Sequence, residues 1–337
     1  MLVLSHRDVL DALPPQACAE AMAAVLAEHA RGDSFMPLRS VMAPPGAAGF
    51  LGLMPGWRAA QPSGTAQRSD AAVFALKAVC IVPSNPARGL DAHQGLVTLF
   101  DGETGQPSAV LDASAITEIR TAAVTAVATR VLSRADARTL AILGAGTQAR
   151  AHLAALLPVR EFAQVRVYAP TEAHAHAMVE QAKDAGAAAE LSVAPSAQEA
   201  LRDADVVVTA TSSREPVLRR DWLKPGAHLN AVGASTPRAR EVDTATVAAS
   251  ALFCDSRESL RHEAGEFQLA IEEGLITGEE HVRAELGEVL TGTAQGRRGD
   301  DELTLFRSLG LAIEDLAAAE TAVAAARAAG LGTEVEL

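Results

Sequence analysis

Residues 139–156 read TLAILGAGTQARAHLAAL, and this stretch constrains the fold more than any other part of the chain. An apolar strand runs directly into Gly144-Ala145-Gly146, and a helix-forming segment follows at once. Between a strand and a helix, G-x-G-x-x-G/A is the turn that cradles a dinucleotide. Gly144 permits the tight turn, and Ala149 lets the helix pack closely on the strand. Gly146 lets the backbone approach a pyrophosphate that any Cβ would block. With the first helical residues Thr147 and Gln148, whose amides point at the phosphates, Gly144, Ala145 and Gly146 form the candidate cofactor cradle.

The surrounding texture supports this. Apolar runs VRVYA (165–169), DVVVTAT (205–211), HLNAVG (228–233) and LFCD (252–255) alternate with helical segments, among them 171–186. Such alternation argues for a parallel sheet covered on both faces. The first third reads differently. A helix over 14–33 precedes strand-like runs at 37–43, 49–55 and 72–82 and a hairpin over 95–112 that turns at DGETG. Segments 56–71 and 83–94 read as loops, and Ser114 is placed to cap a helix reaching 132. LTLF (303–306) and an Ala-rich helix (308–329) close the chain. The fold class expected is α/β: a Rossmann-type parallel-sheet domain plus an α+β domain.

Composition excludes several roles. Of 337 residues, 49% are hydrophobic and the net charge is −13, so the chain has a core and repels a phosphate backbone. Neither a nucleic-acid nor a membrane role is expected, and a cytoplasmic setting is the default. Cys18, Cys80 and Cys254 form no disulfide or metal pattern and read as core residues. His174 and His176 diverge on a helix, so no metal is expected. The Glu-rich 272–288 reads as a solvated helical face, and Lys183 and Lys224 read as helix-end cations.

Three other cations stand in apolar surroundings: Arg39 in PLRSVMA, Lys77 in AVFALKAVCIV and Arg120 in SAITEIRTAAVTAVATRVL. Buried, they need an anion, and a ligand carboxylate is a natural partner. Outward-facing side chains would need none, and periodicity does not choose between the two. At the end of the second Rossmann-type strand stands Ala169, where NAD-binding chains place an acid for the ribose hydroxyl. That points towards NADP(H), with NAD(H) as the alternative. Thr171 offers a hydroxyl there, or caps the next helix.

The segments FMPLRSVM, GFLGLMP, FALK, SAITEIRTAAVTAVAT, LAILGAGTQA, LKPGAHLNAVGAS, AELGEVLTG and FRSLGLAIED follow one another in this order. Together they resemble the ornithine cyclodeaminase/mu-crystallin family of NAD(P)-dependent proteins, its mu-crystallin/ketimine reductase branch in particular. The resemblance implies a substrate-binding and dimerisation domain from 1–118 and 305–337, a dinucleotide domain over 119–304, and a homodimer. It also implies a small imino- or amino-acid substrate whose carboxylate is bound by Arg39, Lys77 and Arg120. Thr121 matches a phosphate contact, and His93 a loop approaching the nicotinamide. Thr209, Ala210, Thr211, Val232, Gly233 and Ser308 match the nicotinamide pocket. Ornithine cyclodeaminases look like they need two acids, yet here those positions are Gly52 and Ser235, the latter left as a substrate contact. Reduction of an α-imino acid by NAD(P)H is the activity expected. The alternatives are ornithine cyclodeamination, an alanine-type dehydrogenase, or a non-enzymatic NADPH-dependent binding protein.

Overall fold

A computed structural model of the protein describes residues 1–60 and 70–336. It comprises two compact units, Met1–Arg120 with Gly310–Leu337, and Thr121–Leu309. The first unit opens with β1 (Leu2–Leu4), α1 (His6–Ala12), α2 (Pro15–Arg31), β2 (Ser34–Phe35) and β3 (Ser40–Met42). It continues with β4 (Phe50–Arg58), β5 (Val73–Ile81), β6 (His93–Asp101), β7 (Pro107–Asp112) and α3 (Ala113–Leu132), within which the division falls. The second unit carries β8 (Thr139–Leu143), α4 (Thr147–Leu156), β9 (Gln164–Tyr168), α5 (Glu172–Asp184), β10 (Glu190–Val193), α6 (Ala197–Leu201) and β11 (Val206–Thr209). Then come β12 (His228–Ala231), α7 (Thr244–Ala249), β13 (Ala251–Cys254), α8 (Arg257–Glu263), α9 (Gly265–Glu272), β14 (Val282–Glu285), α10 (Leu286–Thr291) and β15 (Thr304–Arg307). The chain returns to the first unit with α11 (Ala312–Ala329) and β16 (Thr333–Glu334).

In the first unit the strand order is β16-β1-β7-β6-β5-β4-β2, with β3 also on β4. Side chains alternate strictly between the two faces. Val73, Ala75, Lys77 and Val79 of β5 are buried on one face, while Phe74 and Cys80 are exposed on the other. The helix α11 packs on β4, β5 and β6 and also meets α1 and α2. Its run of alanines suits this position. Ala317, Ala318, Ala319 and Ala322 are fully buried, and small side chains let a helix approach a sheet closely without losing helix propensity. Where α11 begins, Ala312 lies so near β4 that a Cβ on Gly56 would stand 3.3 Å from it.

The second unit is a parallel sheet ordered β10-β9-β8-β11-β12-β15-β13-β14. Alternate residues of its strands feed two cores: Leu140, Ile142, Val206 and Val208 enter one, and Ala141, Leu143, Val207 and Leu229 the other. The sheet is therefore covered on both faces, which gives the α/β class its Rossmann-type half. Because β8 lies between β9 and β11, the winding reverses there. The turn after β8 stands at the carboxyl edge of this switch point, where open α/β sheets bind ligands.

Several local expectations need correction. The strand β4 runs to Arg58, so 56–58 is not loop; 61–69 lies outside the described residues. A 3-10 turn (Asn85–Arg88) interrupts the 83–94 loop, and His93 opens β6. Arg39 precedes β3 rather than lying within a strand. Ser114 does not cap α3: Asp112 accepts the Ala115 amide at 2.8 Å, while the Ser114 hydroxyl donates to the His93 carbonyl. Residues 272–288 are no helical face, because β14 and its buried Val282 and Ala284 lie inside them. Cys80 is exposed, not core. Lys224 follows a short 3-10 helix (Arg220–Trp222) and also pairs with Asp205 at 2.6 Å. The parallel sheet takes in β15, so the unit boundaries fall past 118 and 304.

Enlarging a buried alanine of α11 has no space to fill. Ala318→Leu should destabilise the protein by about 1–3 kcal/mol, read as a lowered thermal midpoint against wild type.

Candidate active site

On the covered face of β5, Lys77 lies beneath the first turn of α11. Its ammonium donates to Asp315 Oδ1 at 3.1 Å, its sole hydrogen-bond partner among the described residues. Arg120 approaches the same oxygen from α3 through Nε at 3.0 Å, and its Nη1 reaches Glu314 Oε2 at 2.9 Å. Asp315 Oδ2 is buried with no hydrogen-bond partner among the described residues. All four side chains are buried, Lys77 at 4% exposure and Arg120 at 5%. Arg39 is half-buried and donates through Nη2 to the Gly310 carbonyl at 2.9 Å. Gly310 has φ +82°, and a Cβ there would stand 2.5 Å from Arg120 Nη1, so glycine is needed both for the turn and for the guanidinium. The three cations expected from the sequence therefore gather in one place.

The electrostatics follow from burial. Desolvation lowers the Lys77 pKa from 10.5 to about 8; Asp315 pulls it back up, while Arg120 and Arg39 push it further down. His93 stands at the start of β6 with its imidazole pKa lowered, first by the protein packed around it; Asp91 opposes that shift and the Lys77 charge adds to it. The acids Glu314 and Asp315 were not singled out from the sequence. The signal was there: two carboxylates in the first turn of an otherwise Ala-rich helix sit where the helix dipole favours them.

The second unit holds the glycine turn. Gly144 has φ +120°, and a Cβ on it would collide with the Ala210 carbonyl. Gly146 is the N-cap of α4 and gives its first turn no side-chain cap, and the space where its Cβ would stand is open. A cleft of about 750 Å³ lies over this turn, lined by Gly144, Ala145, Gly146 and Thr147. Ala169 and Thr171 after β9 and Ala210 and Thr211 after β11 complete much of its wall, with Arg150 and His174. Thr171 occupies the N-cap position of α5 but makes no capping side-chain bond, so its hydroxyl is not spent on the helix. Uncapped amides and an open glycine cradle fit a dinucleotide pyrophosphate. Ser308, after β15, has a buried hydroxyl without a hydrogen-bond partner among the described residues, and it is not in the cleft wall. Gln148 and Thr121 are not in the cleft wall: the Gln148 carbonyl receives His152 Nδ1 at 2.7 Å, and Thr121 is buried in α3. Val232 and Gly233 follow β12, and Ser235 is exposed in the loop beyond them. Among the described residues, no group of three His, Cys, Asp or Glu side chains could hold a metal ion.

Comparison with known proteins now decides the family. The profile of the ornithine cyclodeaminase/mu-crystallin family matches residues 1–329. The chain belongs to that family. It is 36% identical over 301 residues to the ketimine reductase mu-crystallin of Mus musculus, spanning 89% of this chain and 88% of that one. The structure of Thermococcus litoralis Δ1-pyrroline-2-carboxylate reductase, in complex with NADH and L-proline, superposes with a TM-score of 0.92 at 35% identity, covering 99% of this chain and 100% of the other. An archaeal alanine dehydrogenase dimer with bound NAD gives a TM-score of 0.91 at 33% identity, covering 100% and 99%.

The Lys77 shift has a consequence for stability. Between the folded pKa of about 8 and the unfolded value of 10.5, the unfolded chain holds the proton and the folded one does not, so stability rises with pH in that window. The stability gap between wild type and Lys77→Met should widen in favour of wild type from pH 7 to pH 10 in urea unfolding. A gap independent of pH would show that the ammonium is not destabilised.

Proposed function

We propose that this protein is an NAD(P)H-dependent reductase of small α-imino acids, and that the convergence of Lys77 and Arg120 on Asp315 carries that reading. Arg39, Lys77 and Arg120 gather beside the buried Asp315 and Glu314, and the ammonium of Lys77, which spends one hydrogen on Asp315, faces a ligand carboxylate with the others. Arg120 and Arg39 orient that carboxylate, and Lys77, with two ammonium hydrogens uncommitted, supplies a point charge beside it. When bound, the reduced nicotinamide supplies a hydride to the imine carbon. A protonated imine needs little further activation, so orientation and charge pairing supply most of the catalysis, and the Lys77 ammonium, poised near pH 8, is the acid that delivers the proton to the imine nitrogen. The relatives named for ketimine and pyrroline-2-carboxylate reduction support this assignment. Gly52 and Ser235 argue against ornithine cyclodeamination, since neither is an acid or base near neutral pH.

In this reading the first unit is the substrate-binding domain and the second the dinucleotide domain, with Gly144–Thr147 at the pyrophosphate and Thr209–Thr211, Val232, Gly233 and Ser308 at the nicotinamide. NADP(H) is the preferred coenzyme. The wall after β9 carries no carboxylate, and Arg150 and His174 put basic groups in the cleft. Free cysteines and a dependence on reduced coenzyme fit a cytoplasmic setting. No helix among the described residues is long and apolar enough to cross a membrane.

The test is loss of reduced-nicotinamide absorbance with Δ1-pyrroline-2-carboxylate and Δ1-piperideine-2-carboxylate. Turnover with either is expected, with kcat/KM falling above pH ~8 as Lys77 deprotonates and at least ~100-fold lower in Lys77→Met. Proline release from ornithine, or turnover only of pyruvate with ammonia, would replace this assignment. A ~100-fold preference for NADH would overturn the coenzyme choice.

The outer face of the first unit's sheet supports a homodimer. Leu53, Ala78 and Leu96 are cross-strand neighbours on it, as are Trp57, Phe74 and Phe100. Phe74 and Leu96 are about half exposed, and so continuous an apolar face calls for a partner; a second copy of this chain is the one we propose. Leu76→Lys, at the centre of that face, should convert dimer to monomer in light scattering after size exclusion. An unchanged mass for the variant would locate the interface elsewhere.

A further inference from the structure

Glu241, between β12 and α7, lies at the carboxyl edge of the parallel sheet. Its side chain is fully buried. Oε2 accepts the Thr209 hydroxyl at 2.9 Å and the Gly233 amide at 2.6 Å, and Oε1 accepts the Thr211 amide at 2.6 Å. These donors come from the ends of two adjacent parallel strands, β11 and β12, whose last residues Thr209 and Ala231 are in register. One carboxylate thus replaces the strand ladder where the ladder stops. Gly233 marks how close the two loops come, since a Cβ on it would collide with the Thr211 carbonyl and stand 2.6 Å from Glu241 Oε1.

The carboxylate is itself held. The Glu241 amide donates to Glu266 Oε1 at 2.9 Å, and Glu266 Oε2 accepts from Arg307 Nε at 3.0 Å. Arg307 Nη1 reaches back to the Ala231 carbonyl at 2.8 Å. A buried ladder of Glu241, Glu266 and Arg307 so ties together the ends of β11, β12 and β15. Burying a carboxylate with no cation on it is costly, and burial raises the Glu241 pKa against the pull of its donors. Such an arrangement is a poor way to add stability and a good way to fix backbone amides in one geometry.

We propose that Glu241 is the positioning residue of the coenzyme site, its carboxylate pinning the loops after β11 and β12 so that they receive the nicotinamide half of the dinucleotide without rearranging. The proposal rests on the coenzyme assignment above. Thr211 and Ala210, held by this clamp or next to it, also line the cleft over the glycine turn. A glutamine at 241 keeps the shape but presents an NH2 to one of two amides that need an acceptor, so the clamp opens even where the packing survives.

The test measures binding rather than turnover. NADPH is titrated against wild type and Glu241→Gln by tryptophan quenching, and pyrrole-2-carboxylate, an unreactive carboxylate probe of the Lys77 cluster, is titrated without coenzyme. The variant should bind NADPH at least ~10-fold more weakly, the scale of one lost charge-assisted hydrogen bond, with its pyrrole-2-carboxylate affinity unchanged. Coenzyme affinity within ~2-fold of wild type would overturn the clamp and leave the function standing. A wild type that binds no nicotinamide coenzyme would remove the function and the clamp together. Amide hydrogen exchange on ligand-free wild type needs no variant to fold: slow exchange at Thr211 and Gly233 is expected, and exchange at the rate of an open loop overturns the proposal.

Discussion

Burying Lys77 and Arg120 under α11 is tolerable only because that helix brings Asp315 and Glu314 with it. The partners are 238 and 195 residues apart in sequence, so the cluster closes only when the end of the chain docks on the sheet of its first third. Until then the cations are solvated and the strand face beneath is bare. The docking helix supplies the right sign for a local reason as well, since the first turn of α11 carries the positive end of the helix dipole and stabilises acids. Gly310 completes the arrangement by turning the chain with a left-handed φ and leaving room for the guanidinium of Arg120.

This dependence explains what was legible in the sequence. The parallel sheet and its glycine turn are local, written in contiguous apolar runs and in residues whose backbone roles are unique, and so the strand–turn–helix at 139–156 could be read directly. The cations were legible one at a time as charges in apolar company. Their convergence was not, because β5, α3 and the segment before β3 are separate in sequence and only tertiary packing joins them. Family resemblance supplied that step. The strands β10 and β14 leave little trace in the sequence because they are short edge strands whose outward residues are polar, and at the start of α3 Asp112, two residues before Ser114, takes the capping bond.

Buried carboxylates organise both units, with opposite effect. In the first, Asp315 draws Lys77 and Arg120 to one oxygen. In the second, Glu241 gathers amides and leaves a fixed backbone. Both are weak sources of net stability, since desolvation offsets most of the pairing energy. What each secures is geometry ahead of ligand binding, so less ordering is needed when the ligand arrives.

The balance of charge also gives Gly52 a meaning beyond a missing acid. It faces the covered side of β4, paired with Val79, two residues along the same ladder from the Met54–Lys77 pair and so on the same face. A Cβ there would meet Val79 at an ordinary 3.6 Å, so the position tolerates a side chain and glycine is not demanded by packing. An acid at 52, as cyclodeaminases look to require, would set a third carboxylate against the three cations. That balance suits a substrate carrying its own distal ammonium beside its carboxylate. With glycine no carboxylate stands at 52 to meet a distal ammonium, and the site favours a ligand that lacks one. A small imino acid is such a ligand, and ornithine is not.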